Sequence, residues 1–390
     1  DHRTADRGIP SYRAPGDLYA RPATLDRSTF FGSPSQNFAD AQVDRVWATL
    51  EQKTDFGLTV RNHTSWSQYE KMYQNVYAGG PLSATTGLVP LVSYNNITNR
   101  ENLFNQTDVT YKIDFGWMKH TLLAGVELGS QQSDNFRRNG QFDSPADCGS
   151  RTTGNSLPNG TCLVFPGDGV IRSHVTFASA QTRNHVDLDV RSVYVQDQVQ
   201  LTRFVEVIAG VRQEAFALDY TNLLPPTAAA PAHLTHSDNL ISPRAGLILK
   251  PFDMLSLYGS YSVSYLPASG DQFSSVAATT VDLDPEKYTN YEVGLKWDIT
   301  KALAFTAATY KVDRENIRFA QADGSFIQSG KSRVDGSEVT ITGHINKDWQ
   351  ISAGYSHNEG RLTSTITSGT TNIAAGAPLP LLPSDTFSLW

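Results

Sequence analysis

Residues 292–313 read EVGLKWDITKALAFTAATYKVD, and the first half of that stretch alternates without a break. Val293, Leu295, Trp297 and Ile299 fall on one phase, and Glu292, Gly294, Lys296 and Asp298 on the other. Successive side chains of a strand point to opposite faces, so a period of two specifies a β-strand with one apolar and one polar face. Thr300 and Lys301 form a short polar break, after which LAFTAATY runs back as the second arm of a hairpin.

The same alternation recurs along most of the chain. It predicts strands over 38–53, 58–73 and 97–113, and an outgoing strand with Leu122, Ala124, Val126 and Leu128 on one face. Further on, Val193, Val195, Val199 and Leu201 share a phase that Asp197 interrupts, which places Asp197 near the inner rim or at a bulge. Later pairs follow, in which Leu257, Ile341 and Ile351 oppose Ser260, Thr342 and Ser352; the final strand begins near Pro383. Tight turns at 54–57 and 114–117 alternate with long polar connections at 1–36, 74–96, 138–184 and 221–237. Short turns at one end and long loops at the other are the sequence pattern of a transmembrane β-barrel. About thirteen antiparallel strands are expected, many longer than the 9–11 residues that cross a bilayer, with the excess projecting on the long-loop side. Trp66, Trp117, Tyr265, Trp297, Trp349 and Trp390 lie near strand ends on the apolar phase, where interfacial girdles form. The competing reading of such aromatics is the core of a soluble sandwich.

Only 39% of the 390 residues are hydrophobic. That does not exclude a membrane barrel, because only alternate residues meet lipid. No run of 18 apolar residues makes a transmembrane helix. The sequence opens without Met or a signal peptide and stops at Trp390 inside an apparent strand, so we expect an internal segment of a longer protein. A net charge of −7 without a basic cluster argues against nucleic acid as a partner. The two cysteines, Cys148 and Cys162, share one Gly/Asn/Ser-rich stretch. They are expected to form a loop disulfide, contributing roughly 3 kcal/mol, or else to remain free thiols. No catalytic or nucleotide-binding motif is present. The nine histidines are scattered; His233, His236 and Asp238 are spaced as possible chelators, against the plainer reading of solvated loop residues. No intrinsic metal or cofactor site is expected.

Several stretches carry a resemblance. DHRTADRGIP, YQNVY, RENLFNQTDVTY, HTLLAGVELGSQQSDN, VYVQDQVQL, IAGVRQE, SPRAGLILKP, LYGSYSVSYLP, LDPEKYTNYEVGLKWDI and LPSDTFSLW follow in this order along nearly the whole chain. Together they resemble the barrel of a TonB-dependent siderophore receptor of the bacterial outer membrane. One departure is Asp335-Gly336-Ser337-Glu338, where the family has an apolar residue between Gly and Glu. The resemblance implies a barrel of about 22 strands around a plug. This chain would then be an open all-β fragment without the plug or the first and last strands, spanning residues 1–390. It implies transport rather than catalysis, with a ferric siderophore as the transported ligand. The TonB-ExbB-ExbD system would act through the missing N-terminal part, and outer-membrane lipid would surround a monomeric receptor. An iron chelate is rigid, polar-rimmed and often anionic, so aromatic walls with one or two cations suit it. Parity then makes Tyr69, Tyr73, Phe216, Tyr220 and Tyr288 the inward aromatics of the outer end, with Arg137 on the same phase. Rim packing is the competing reading of each. Glu127, Glu214 and Glu292 also fall inward, wetting the lumen or touching the plug. The alternative functions are a passive outer-membrane porin and a soluble β-rich adhesin or enzyme.

The parity assignment is directly testable. Leu295→Arg should destabilise the protein by roughly 2–4 kcal/mol near the bilayer midplane, whereas Lys296→Arg should be near neutral. Equal losses in unfolding titrations from lipid bilayers would reject the assignment.

Overall fold

A strand that meets lipid on one side has no water to satisfy its backbone, so its N–H and C=O groups must pair with neighbouring strands. The computed structural model describes all residues except 1, 4–10, 13–20, 27, 144–161, 169–170, 172–173, 229, 268–279, 321–325, 369–370 and 380–381. Its main sheet has fifteen strands, two of which, His2–Arg3 and Cys162–Val164, are short. The other thirteen form the wall: β1 (Phe38–Lys53), β2 (Leu58–Ala78), β3 (Val89–Asp114), β4 (Lys119–Phe142), β5 (Val175–Thr202), β6 (Val205–Asn222), β7 (His233–Phe252), β8 (Leu255–Leu266), β9 (Glu286–Thr300), β10 (Leu303–Ala320), β11 (Phe326–His344), β12 (Gln350–Leu362) and β13 (Asp385–Leu389). Each pairs antiparallel with the next in sequence, and β1 and β13 do not pair with each other. The sheet is therefore open, as expected. One margin differs from expectation: His2 and Arg3 pair with Asp40 and Ala39, so β1 is an edge only along the rest of its length.

Connections at one end are tight: 54–57, 115–118, 203–204, 253–254, 301–302 and 345–349. Gly57 adopts φ 91°, a left-handed conformation that suits glycine, and closes the first of them. At the other end the connections are longer, except for the five residues 321–325 between β10 and β11. The strands run further outward than the alternation indicates. β2 continues to Ala78, β3 starts at Val89, β4 reaches Phe142 and β5 starts at Val175. The expected 138–184 loop is correspondingly shorter, and within it Cys162–Val164 pairs with Val89–Leu91. The 221–237 loop also shrinks, because β7 begins at His233. The physical reason is common to all of these. Above the membrane the outward face no longer needs to be uniformly apolar, so the period-two signal fades while the ladder continues.

The two faces sort as parity predicts. Val293 on the outward phase is 57% exposed, and Val46, Leu50, Leu128, Val193 and Leu257 are exposed likewise. A contiguous apolar band of this extent is far more than a water-soluble surface carries. Phe56, Phe115, Trp117, Phe204, Phe252 and Trp349 are exposed at the tight turns and form the girdle on that side. Trp66 and Tyr265 sit about ten residues from a tight turn, at the opposite interface by the strand length a bilayer requires. The Trp66 indole Nε1 donates to Glu101 (2.7 Å). Asp197 lies near the inner rim in continuous register, where its carboxylate meets His120 Nδ1 at 2.7 Å.

On the inner face, aromatics lie across glycines of the adjacent strand. A Cβ on Gly294 would stand 2.7 Å from the Tyr258 ring, and one on Gly336 would stand 2.5 Å from the Tyr310 ring. The ring covers the backbone that a glycine leaves bare. Ser337, the departure noted above, points outward, where its hydroxyl meets Thr309 Oγ1 at 3.3 Å.

The core of the projecting part lies on its outward face. Phe31, Val76, Val89, Leu91, Phe142, Cys162, Val164, Ile171 and Val175 are buried together, with Leu25 and Leu82 packed against them. The apparently polar stretch before β1 thus supplies apolar cover, worth roughly 1.5–3 kcal/mol per large side chain buried. Asn37 anchors it. Its Nδ2 donates to the Val76 carbonyl (2.8 Å), and its Oδ1 accepts from the Val76 N–H (2.9 Å). One carboxamide therefore occupies the place of a neighbouring strand. Asn37→Ala would leave both buried groups of Val76 unpaired, at about 1–3 kcal/mol each. Hydrogen exchange at the Val76 amide should accelerate by at least tenfold, and unchanged exchange would refute the strand-mimic role.

Candidate functional site

The wall strands β2 to β5 far exceed the bilayer, so their outer halves form a rim whose inward face meets the external solution. Register fixes which side chains share that face, because residues directly opposite one another project to the same side. Tyr73 stands opposite Asn96, which stands opposite Arg137; one level inward Lys71 faces Thr98, and below that Tyr69 faces Arg100. Tyr69, Glu70, Lys71, Tyr73, Asn96, Thr98, Arg100 and Asn102 line one cavity of about 340 Å³ against Ala41, Gln42 and Val43 of β1.

Tyr94, near the start of β3, is buried behind this group rather than lining the cavity. The Arg137 guanidinium carbon lies 3.6 Å from the Tyr94 ring centroid, a stacked cation–π contact. Tyr73 and Tyr77 both meet Tyr94 edge-on, with centroids 5.7 and 5.5 Å away. Arg137 Nε donates to Gln181 Oε1 (2.7 Å), and the Lys71 ammonium lies 5.3 Å from the Tyr73 ring centroid. Charge is segregated across the sheet here. Within β1–β4, from the level of Arg45 and Ser67 outward, the inward phase carries Arg45, Lys71, Arg100 and Arg137 and no carboxylate. Asp40, Asp44, Glu70, Glu101 and Asp134 are all on the outward phase.

The remaining expected contacts are placed differently. Phe216 and Tyr220 are only 4% and 8% exposed, buried with Val186, Leu188 and Leu218. They do not line the open wall as their parity suggested. On β5 and β6 the inward phase is apolar over several successive rows, so these side chains cluster, with Leu234 and Leu240 of β7 and Val281 of the β8–β9 connection packed on them. Burial pushes the Tyr220 hydroxyl above its usual range, opposed in part by a hydrogen bond to Asn184. Tyr288 belongs to a third patch. Its hydroxyl donates to Glu286 Oε2 (2.9 Å), and Glu286 also receives a fork from Arg314, with Nε at 2.9 Å and Nη2 at 2.7 Å. Burial raises the Tyr288 hydroxyl pKa, and the Glu286 hydrogen bond raises it further.

Deeper in, the mixed-charge groups Glu51, Arg61, Asp108, Tyr194, Arg212 and Arg244 line a cavity of about 670 Å³. Because these residues span β1 to β7, this face is the concave one. Arg212 Nη2 reaches Glu214 (2.7 Å) and Glu127 (3.1 Å), and Tyr258 donates to Glu292 (2.6 Å). The chelator reading of 233–238 is not supported by the geometry. His236 Nε2 meets Asp238 Oδ2 at 2.7 Å on the inward face, whereas His233 faces the other way, because three residues along a strand reverse the side. Among the described residues no group of three His, Cys, Asp or Glu side chains could hold a metal ion. Cys162 is disulfide-bonded and buried; Cys148 lies outside the described residues. Sequence reasoning missed Tyr94, because the stretch before Asn96 reads as loop. The aromatic pair Tyr73 and Tyr77 opposite it was the available signal.

The family model "TonB dependent receptor-like, beta-barrel" matches residues 2–390. The chain is 27% identical to "Catecholate siderophore receptor Fiu" of Escherichia coli K12, over 100% of this chain and 54% of that protein. It is 27% identical to "Probable TonB-dependent siderophore receptor PiuA" of Acinetobacter baumannii, over 99% of this chain and 54% of that protein. It thus spans about half the length of these curated relatives. Among solved structures, the siderophore receptor PiuA of A. baumannii superposes with a TM-score of 0.83 at 24% identity, covering 100% of this chain and 57% of that one. The closed form of the E. coli K12 ferric-catecholate import receptor Fiu gives 0.72 at 23% identity, with the same coverage. At this identity the superpositions establish the fold.

The rim should respond to pH through His185, which bridges β4 and β5 on the outward face. Its Nδ1 meets Asp134 at 2.8 Å and its Nε2 meets Asp187 at 3.2 Å. The Asp134 hydrogen bond, chiefly, raises its pKa above 6.5. A raised folded-state pKa gives stabilisation that is fully present below the unfolded value and is lost as pH rises through the folded one. His185→Gln should therefore lower thermal stability most at about pH 5.5, with the deficit vanishing towards about pH 8.5. A deficit that grows with pH would contradict the assignment.

Proposed function

This chain belongs to the TonB dependent receptor-like β-barrel family, and from that premise we propose that it forms part of the wall of a ferric-siderophore importer. The family is one of outer-membrane receptors, not enzymes. In this reading the chelate binds at the external face, and energy transmitted by TonB, charged by an ExbB-ExbD partner system, drives its entry. The remaining strands close the barrel around a plug, and the complete receptor works as a monomer in lipid. Residues 1–390 are then a partial barrel domain.

The observation that carries this reading is the inward wall of the outer rim, where Tyr69, Lys71 and Tyr73 line a cleft and Arg137, stacked on the buried Tyr94, shares their face. Such a wall suits a bulky preformed complex, because stacked rings and a fixed guanidinium recognise planar and charged surfaces without competing for the metal. Iron then arrives inside its chelator and needs no protein ligand. Phe216, Tyr220 and Tyr288 contribute as the packed framework of the opposite wall. The names of the relatives agree in kind: Fiu and PiuA are siderophore receptors.

The test is uptake of iron-59 siderophore by cells that express the complete receptor and lack their own. Uptake should appear with the receptor and disappear when TonB is deleted. Uptake that survives TonB deletion would identify a passive pore instead, and failure to take up any ferric siderophore would reject the proposal.

A further inference from the structure

The lipid-facing side of β8–β10 turns aromatic and basic where it leaves the apolar band. Tyr265 marks the outer interface on β8, and Lys287 stands directly opposite it on β9. Four residues nearer the tight turns on the same phase of β9, Tyr291 stands between Tyr261 of β8 and Lys311 of β10. The Tyr261 and Tyr291 ring centroids are 5.2 Å apart, and the Lys311 ammonium lies 4.8 Å from the Tyr291 centroid. Tyrosines and long cations suit such a level, the ring at headgroup depth and the ammonium reaching past it.

The carboxylates beside both lysines are already engaged by other cations. Glu315, opposite Lys287, binds Lys331 at 2.7 Å, and Asp335, opposite Lys311, binds Arg361 at 2.9 Å. Asp313, between them on β10, binds Arg333 at 2.6 Å. Among the described residues neither Lys287 nor Lys311 forms an ion pair. The rest of the outward belt has the opposite character. Asp189 lies as far from Thr202, the turn end of β5, as Lys287 lies from Thr300, the turn end of β9. There Glu101, Asp187, Asp189 and Asp219 outnumber the single cation Arg191.

We infer that Lys287 and Lys311, with Tyr261, Tyr265 and Tyr291, form a docking site for the phosphorylated sugar headgroup of an outer-leaflet glycolipid. The inference uses the outer-membrane setting of the family and is independent of the transported ligand. Position selects a lipid over a soluble anion. Both lysines rise from the lipid-facing phase at the margin of the apolar band, where a membrane headgroup is held alongside them. Spacing selects a headgroup with two anionic ends. Four residues of extended strand separate the levels of Lys287 and Tyr291, about 13 Å. Lys311 is level with Tyr291, so the two ammonium groups reach different phosphates, and a disaccharide phosphorylated at both ends spans such a gap. The tyrosine faces between them suit the apolar faces of the sugars and the first carbons of the acyl chains. Uncancelled cations beside a membrane draw anionic lipid, and the carboxylate-rich arc repels it, so the glycolipid should seat on β8–β10.

The experiment titrates the complete purified receptor in detergent with bisphosphorylated lipid A and with the same lipid stripped of both phosphates, and reads bound lipid by native mass spectrometry. The bisphosphorylated lipid should bind more tightly. Lys287→Gln and Lys311→Gln should each weaken it about fivefold, the worth of one lysine beside an anionic headgroup, and leave the stripped lipid within twofold. Lys287→Arg and Lys311→Arg, which keep the charge, should restore binding. Arg191→Gln, on the carboxylate-rich arc, should change nothing. The preference for phosphate should shrink at high salt, and inorganic phosphate in large excess should fail to displace the lipid. Equal affinity for the two lipids, or indifference to both glutamine variants, would overturn the site. A loss on Arg191→Gln as large as on Lys287→Gln would reduce it to general surface charge. Full displacement by inorganic phosphate would overturn the lipid as its occupant. None of these outcomes bears on iron uptake, so the site and the transport reading stand or fall separately.

Discussion

Every feature of this chain depends on the backbone ladder. In hydrocarbon an unpaired N–H or C=O costs several kcal/mol, so a strand can face lipid only if its hydrogen bonds are met by its neighbours. Thirteen strands in sequential antiparallel order achieve this with turns of two to five residues where the chain reverses at the inner end. Once the ladder is fixed, parity distributes everything else. One phase must be apolar for lipid, and the other is free to carry charge, tyrosine and glycine.

The ladder does not stop where the membrane does. β3, β4 and β5 carry 26, 24 and 28 residues, more than twice what a bilayer needs. Beyond the lipid both faces of the sheet meet water, and the two faces solve that problem differently. The outward face becomes acidic in places and is elsewhere covered by the segment around Phe31 and by Cys162–Val164. The inward face is packed over β5 and β6, where it is apolar, and left open over β1–β4, where it is aromatic and cationic. The open wall is what a solute arriving from outside would meet.

The segregation of charge on β1–β4 is a consequence of the same parity. Acids and bases that alternate along a strand land on opposite faces, so a stretch with no obvious net charge yields a cationic inward wall and an outward wall that carries the acids together with Arg138. On the acidic side His185 ties β4 to β5 through Asp134 and Asp187. On the cationic side Arg137 is steadied by a ring and an amide. A single-sign wall produces a field larger than any pair within it, which is why it matters for ligand capture more than for stability.

The sequence by itself determined the membrane-facing half of this protein. Val293, Leu295 and Trp297 against Glu292 and Lys296 read as lipid and lumen because lipid tolerates no exceptions there, and the tight turns set the strand order. It also placed Tyr73 and Arg137 on one face, since parity needs no neighbour. Only the tertiary structure decided what each face packs against. Phe216 and Tyr220 share the inward phase of Tyr73, yet Val281 and the apolar rows of β5 and β6 bury them. Tyr94 was hidden because β3 continues past the point where lipid enforces alternation, and it became visible only when register set it beside Tyr73, Tyr77 and Arg137. Alternation encodes a side chain's direction along its own strand, whereas its neighbours come from strands tens of residues away, and that pairing is a property of the folded sheet.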